Sequence, residues 1–118
     1  MHELSIASSI VDLVTQELHE MGSARATAIR LRIGALSCIH QSALLYSFQL
    51  VTDGTELSDA QLEIETVPVT IFCSNCQAIK PLESIQSFRC PSCQTLSADI
   101  RSGKELEIHS IEYEPAFA

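Results

Sequence analysis

Tryptophan is absent from this 118-residue chain, and aromatic residues make up only 5% of it. The interior therefore has few large anchors and must be built from Leu, Ile, Val and Ala, which supply most of the 46% hydrophobic content. Cations are also scarce, with seven Lys plus Arg against fifteen Asp plus Glu and a formal charge of -8. Arg25, Arg30, Arg32, Lys80, Arg89, Arg101 and Lys104 are scattered among acids, so no basic patch is evident and a nucleic-acid polyanion is excluded as the expected partner. No apolar run reaches the length of a membrane span. The first twenty residues lack the charged start and unbroken apolar stretch of a signal peptide. These absences predict a soluble, cytoplasmic protein with no membrane association, consisting of one domain or one domain with a small insert.

Hydrophobic periodicity predicts an α/β (α+β) fold. Leu4, Ala7, Val11, Val14, Leu18 and Met21 recur at three- and four-residue steps, a helix capped at Gly22. Ile29, Leu31 and Ile33 alternate with Arg30 and Arg32 as a half-buried strand ending at Gly34. Leu44, Leu45, Phe48 and Val51 share a side of a second helix, stopped by TDGT. LEIETVPVTIF reads as a second strand, with Pro68 implying an edge or a bulge. KELEIHSIEYE reads as a third, with a phase slip near His109 or Ser110. The expected architecture is a three-stranded sheet with two helices on one face, plus a small zinc-ribbon insert. The last two strands are expected to pair as a hairpin carrying that insert at its tip. The expected domains are 1–70 with 102–118, and a zinc-binding domain 71–101.

Five cysteines in a compartment that disfavours disulfides point to metal or redox chemistry. Four form two knuckles, CSNC at Cys73 and Cys76 and CPSC at Cys90 and Cys93. Two thiolates two residues apart can grasp one ion from a tight turn, and two such turns close a tetrahedron suited to structural Zn(II). The segment between them has only Ile79, Leu82, Ile85 and Phe88 as a core, so metal must supply its stability. A redox CxxC pair is the competing reading. Cys38 has no partner nearby in sequence and is expected to be a small buried or half-buried side chain.

The chain starts Met-His-Glu. The Met1 amine, the intervening amide and the His2 imidazole can form fused chelate rings, a planar nitrogen set that favours Ni(II) or Cu(II) over zinc. The bulky second residue should also prevent removal of Met1. A helix N-terminus repels cations, but the deprotonated amide and Glu3 offset that field. The alternative is a polar helix start with Glu3 complementing the dipole.

The start MHELSIASSIVD, the segment LRIGALSCIHQSALLYSFQLV and the pairs CSNC and CPSC together resemble the HypA/HybF family of hydrogenase nickel-incorporation proteins over nearly the whole chain. The resemblance implies a non-enzymatic nickel metallochaperone, with Met1, His2 and Glu3 holding nickel as cargo and Cys73, Cys76, Cys90 and Cys93 holding zinc. It implies a partner nickel-binding GTPase and, as client, the large subunit of [NiFe]-hydrogenase, with urease as a further client in some members. No GxxxxGK[ST] loop occurs, so GTP chemistry belongs to the partner. The protein is expected as a monomer or homodimer. Where relatives carry a carboxylate before the second helix, this chain has His40, read either as an exposed loop histidine or as a further nickel ligand. Two rival functions are a zinc-ribbon binding module and a thiol-redox enzyme; neither explains the Met-His-Glu start. Glu63, Glu65, Glu105 and Glu107 are expected to form a solvated acidic face beside Arg30 and Arg32, and His19 and His109 are assigned to no metal.

Overall fold

The computed structural model describes residues 3–22 and 24–115, so Met1 and His2 lie outside the described residues. The elements in chain order are α1 (Glu3–Glu20), β1 (Ala24–Gly34), α2 (Gln41–Thr52), β2 (Gln61–Val67), β3 (Thr70–Cys73), β4 (Ala78–Pro81), β5 (Ile100–Ser102) and β6 (Leu106–Pro115). Two helices accompany a three-stranded sheet of order β2-β1-β6, and a second sheet of order β4-β3-β5 carries the cysteines. Among the described residues no helix is long and apolar enough to cross a membrane.

Helix α1 buries Ile6, Ala7, Ile10, Val14 and Leu18. This corrects the expected stripe, because Leu4 is 53% and Met21 40% exposed. At about 100° per residue, Leu4 points roughly 90° away from the centre of the buried arc. Met21 follows the last helical residue, and the turn closes as Gly22 N–H donates to the His19 carbonyl. Gly22 has φ +85, a left-handed conformation suited to glycine at a helix end.

Strand β1 turns Ile29, Leu31 and Ile33 into the core and leaves Arg30 and Arg32 partly exposed. The expected hairpin between the last two long strands does not form: β1 lies between β2 and β6 and pairs with both. Its arginines thereby meet glutamates on either side. Arg30 reaches Glu63 at 2.9 Å and Glu112 at 3.9 Å, Arg32 reaches Glu65 at 2.8 Å and Glu107 at 3.5 Å, and Arg25 pairs with Glu114. Each pair is solvent-exposed and contributes at most about 1 kcal/mol. Glu105 departs from this face and accepts the Gly103 amide at 2.8 Å.

The expected single strand 62–72 is divided at Pro68, which has no N–H to give to a ladder. Its carbonyl accepts the Ser102 hydroxyl at 2.8 Å. The short strands β4 and β5 are not expected from sequence, because their apolar residues are too few to impose a period.

The described residues fall into two compact units, one from 3–22, 24–31, 39–64 and 108–115, the other from Arg32–Cys38 and Glu65–Glu107. The first contains both helices, packed against each other. Ten of the fifteen acids and two of the seven cations belong to it, so it carries all of the net -8. The second has five of each sign, and its core includes Ile33, Val67, Val69, Ile71, Cys73 and Cys90.

Candidate metal centre

Strand β3 ends on Cys73, and a tight turn through Cys76 returns the chain into β4 with Cys73 paired to Ala78. The Cys76 amide donates to the Cys73 sulfur at 3.4 Å. The second knuckle is closed by two backbone bonds, from Cys90 N–H to the Thr95 carbonyl at 2.9 Å and from Gln94 N–H to the Cys90 carbonyl at 2.8 Å. A bridge between Arg89 and Leu96 brackets that turn.

Both knuckles end in a glutamine with left-handed backbone, Gln77 at φ 53 and Gln94 at φ 64. Such residues cost roughly 1–2 kcal/mol against a right-handed conformation. The repeated Cys-x-x-Cys-Gln pattern carries this feature in the sequence, although glycine or asparagine would have been the stronger signal.

All four sulfurs lie within 4.8 Å of one another, with Cys73 to Cys93 at 3.5 Å and Cys76 to Cys90 at 3.8 Å. A zinc ion bound at about 2.3 Å by four thiolates requires sulfurs about 3.8 Å apart at tetrahedral angles. The set fits that shell. The separations exceed the roughly 2.05 Å of a disulfide, and all five cysteines are free. Cys73 and Cys90 are buried and Cys76 and Cys93 half-buried.

Polar neighbours prepare the cluster for a cation. The Thr95 hydroxyl, 3.2 Å from the Cys93 sulfur, and then the Asn75 side chain hold the Cys93 thiol down at about 5. Burial pushes Cys90 up, but the Cys93 and Ser92 amides outweigh it and leave that thiol below its ordinary value. Cys76 is pushed up to about 12, first by its hydrogen bond with Cys93 and then by burial. Metal-free, the cluster thus holds thiols pulled in opposite directions, Cys93 and Cys90 downward and Cys76 upward.

Around the cluster, Phe72 N–H donates to the Asp99 carbonyl at 2.9 Å, and Arg101 lies 4.8 Å over the Phe72 ring while its Nε and Nη2 donate to the Asp99 carboxylate at 2.8 and 2.9 Å. The Ser97 hydroxyl donates to the Phe72 carbonyl at 2.6 Å. These bonds fix the chain before Cys73 against the chain after Cys93.

Glu3 opens α1, where its charge complements the helix dipole. His40 caps α2: its Nδ1 accepts the Ala43 amide at 3.3 Å and lies 3.0 Å from the Ser42 hydroxyl. Cys38 is exposed, which corrects the expectation of burial. It sits in a turn at φ 60, with its sulfur 3.6 Å from the Leu36 carbonyl. His19 is exposed and pairs with Glu56 at 3.0 Å. His109 is exposed on β6. Among the described residues no other set of three or more His, Cys, Asp or Glu side chains converges as the four cysteines do.

Residues 1–113 match the family model described as hydrogenase/urease nickel incorporation, metallochaperone, hypA. A hydrogenase maturation factor HypA of a Roseiflexus species is 41% identical over 114 residues, covering 97% of this chain and 93% of that one. The HypA of Chloroflexus aurantiacus is 44% identical over 112 residues, covering 95% and 98%. Hydrogenase maturation factor HybF of Salmonella typhimurium is 33% identical over 114 residues, covering 97% and 100%. The fold is shared with the solution structure of the Ni metallochaperone HypA from Helicobacter pylori, at TM-score 0.64, 22% identity and coverage of 95% and 97%. A second HypA solution structure superposes at TM-score 0.70, with 23% identity and 95% of each chain covered. The chain belongs to the HypA family of hydrogenase/urease nickel-incorporation metallochaperones, and is a maturation factor, not an enzyme.

Proposed function

We propose that this protein binds one Ni(II) ion through the Met1 amine, the following amide and His2, with Glu3 offsetting the helix field, and passes it to the large subunit of [NiFe]-hydrogenase. A nickel-binding GTPase of the maturation system acts with it in the cytoplasm, and urease is the alternative client. The observation that carries the reading is a family match running from residue 1 to residue 113, with the Met-His-Glu start and both cysteine knuckles inside it. Planar nitrogen donors suit nickel, and four thiolates suit zinc, so cargo and structural metal are kept apart by ligand chemistry.

Zinc is proposed to sit at Cys73, Cys76, Cys90 and Cys93, supported by sulfur separations of 3.5 and 3.8 Å. In functional terms the zinc domain is 71–101 and the nickel domain 1–70 with 102–118. The further residues that pack compactly with the cysteines, 32–38, 65–70 and 102–107, are sheet and turn residues outside the zinc ligand set.

Calorimetric nickel titration of zinc-loaded protein with its native start tests the assignment. One site is expected, lost in His2→Ala and equally lost when residues are added before Met1, with zinc content unchanged in both. Undiminished nickel binding by His2→Ala would refute it.

A further inference from the structure

Helix α2 has no charged residue from Gln41 to Thr52. Leu44, Ser47, Phe48 and Thr52 face the core, yet large apolar side chains also stand outward, Leu45 39%, Tyr46 63% and Leu50 55% exposed, interspersed with exposed Gln41, Ser42 and Gln49. Large apolar side chains exposed together on a helix without charge mark an interaction surface. Along one flank of this helix runs a groove of about 680 Å³ whose lining is mixed, with Leu45 and Leu62 among polar Gln49, Ser58, Asp53 and Asp59. Glu56 lies on the same connection between α2 and β2.

We infer that the outward side of α2 and this groove form a docking surface for a basic, amphipathic helix of a different protein. Leu, Ile or Phe side chains on that helix would cover Leu45, Tyr46 and Leu50, and flanking Lys or Arg would meet Asp53 and Asp59. Charge selects this occupant. The unit that carries α2 holds ten acids and two cations. Of those cations, Arg25 is engaged by Glu114 and Arg30 by Glu63, although Arg25 also feels the Asp59 charge. A second copy of the chain would bring the same negative field against it, and like charges facing each other across an interface cost several kcal/mol. The ridge from Leu45 to Asp53 is about 12 Å long, room for two or three turns of a helix lying in the groove. The inference is independent of the nickel reading.

The test uses zinc-loaded protein and two synthetic helical peptides of about four turns, one patterned in Leu and Lys, the other in Leu and Glu. Amide shifts followed by NMR should move along 45–53 and in 58–62 with the Leu/Lys peptide and stay still with the Leu/Glu peptide. The double variant Tyr46→Ser with Leu50→Gln should weaken binding about tenfold, as loss of central apolar anchors does. Asp53→Asn with Asp59→Asn should flatten its salt dependence. All four sites are at the surface or rim, and an unchanged spectrum elsewhere checks the fold. The inference is overturned if the Leu/Lys peptide does not bind, if its shifts spread over the acids of α1, or if the Leu/Glu peptide binds as well. Sedimentation showing a dimer that Leu50→Gln dissociates would also overturn it, since the occupant would then be a second copy.

Discussion

Gly34 and Gly103 meet backbone against backbone: a methyl group on Gly34 would come within 2.1 Å of the Gly103 carbonyl carbon and oxygen. The contact is locked by Gly34 N–H donating to the Glu105 carbonyl and Leu36 N–H donating to the Gly103 carbonyl, both at 2.7 Å. Gly103 also has φ +116, with Val69 where its own side chain would project. The end of β1 is thus fastened to the chain that returns from the cysteine cluster.

Gly34→Ala should therefore destabilise the protein by about 3 kcal/mol, since rigid backbone must separate. Gly54→Ala is the control. That glycine has φ +75, and a methyl group added to it would meet nothing within 4 Å, so only the left-handed penalty of about 1 kcal/mol applies. Urea unfolding of both variants measures the difference.

Removing the metal should unfold the small sheet before the helices. Cys90→Ser or a strong chelator should abolish the dispersed amide signals of β3, β4 and β5, because their apolar core is slight and metal binding supplies the folding energy. Helical circular dichroism from α1 and α2 should largely persist. Simultaneous loss of both would show that the helices depend on the metal.

Acid should release the cluster's metal in two regimes. Around neutrality Cys93, held at about 5, is already ionised in the metal-free protein, while Cys76, pushed to about 12, must give up its proton to bind. Affinity therefore rises with pH through neutrality. Below about pH 5 Cys93 competes for a proton as well, so affinity falls more steeply. The linkage has the same sign: a depressed thiol pKa contributes stability above its unfolded value and loses it as pH drops through the folded one. Chelator competition from about pH 4 to about pH 8 should show the steepening, and Thr95→Val should move it upward.

His40→Asn should keep the cap of α2, whereas His40→Ala should cost about 1 kcal/mol. Neither should change nickel stoichiometry, because the cap occupies Nδ1. Loss of nickel from both variants would instead make His40 a ligand.

The cysteine centre is legible in the sequence because spacing alone dictates it: two Cys-x-x-Cys turns can close one tetrahedron wherever the chain between them goes. Strand β1 is legible as well, since Arg30 and Arg32 alternating with Ile29, Leu31 and Ile33 impose a period of two. The pairing of that strand is not, because alternation says which side faces inward but not which neighbours lie alongside. The phase of α1 is ambiguous for a related reason. Leu4 and Val11 fit three- and four-residue steps, but Ile6 and Ile10 fit the same arc better once the 3.6-residue turn is accumulated. His40 gives no capping signal because histidine is outside the usual Ser, Thr, Asp and Asn set.

The arginine and glutamate ladder on the large sheet has a consequence for polyanions. An RNA or DNA strand laid across β1 would find Arg30 and Arg32 already clasped by carboxylates from both flanks, and Arg25 from one. Each phosphate would have to displace a glutamate and then lie beside it. The three arginines of that sheet surface are thus partnered by carboxylates of the same surface.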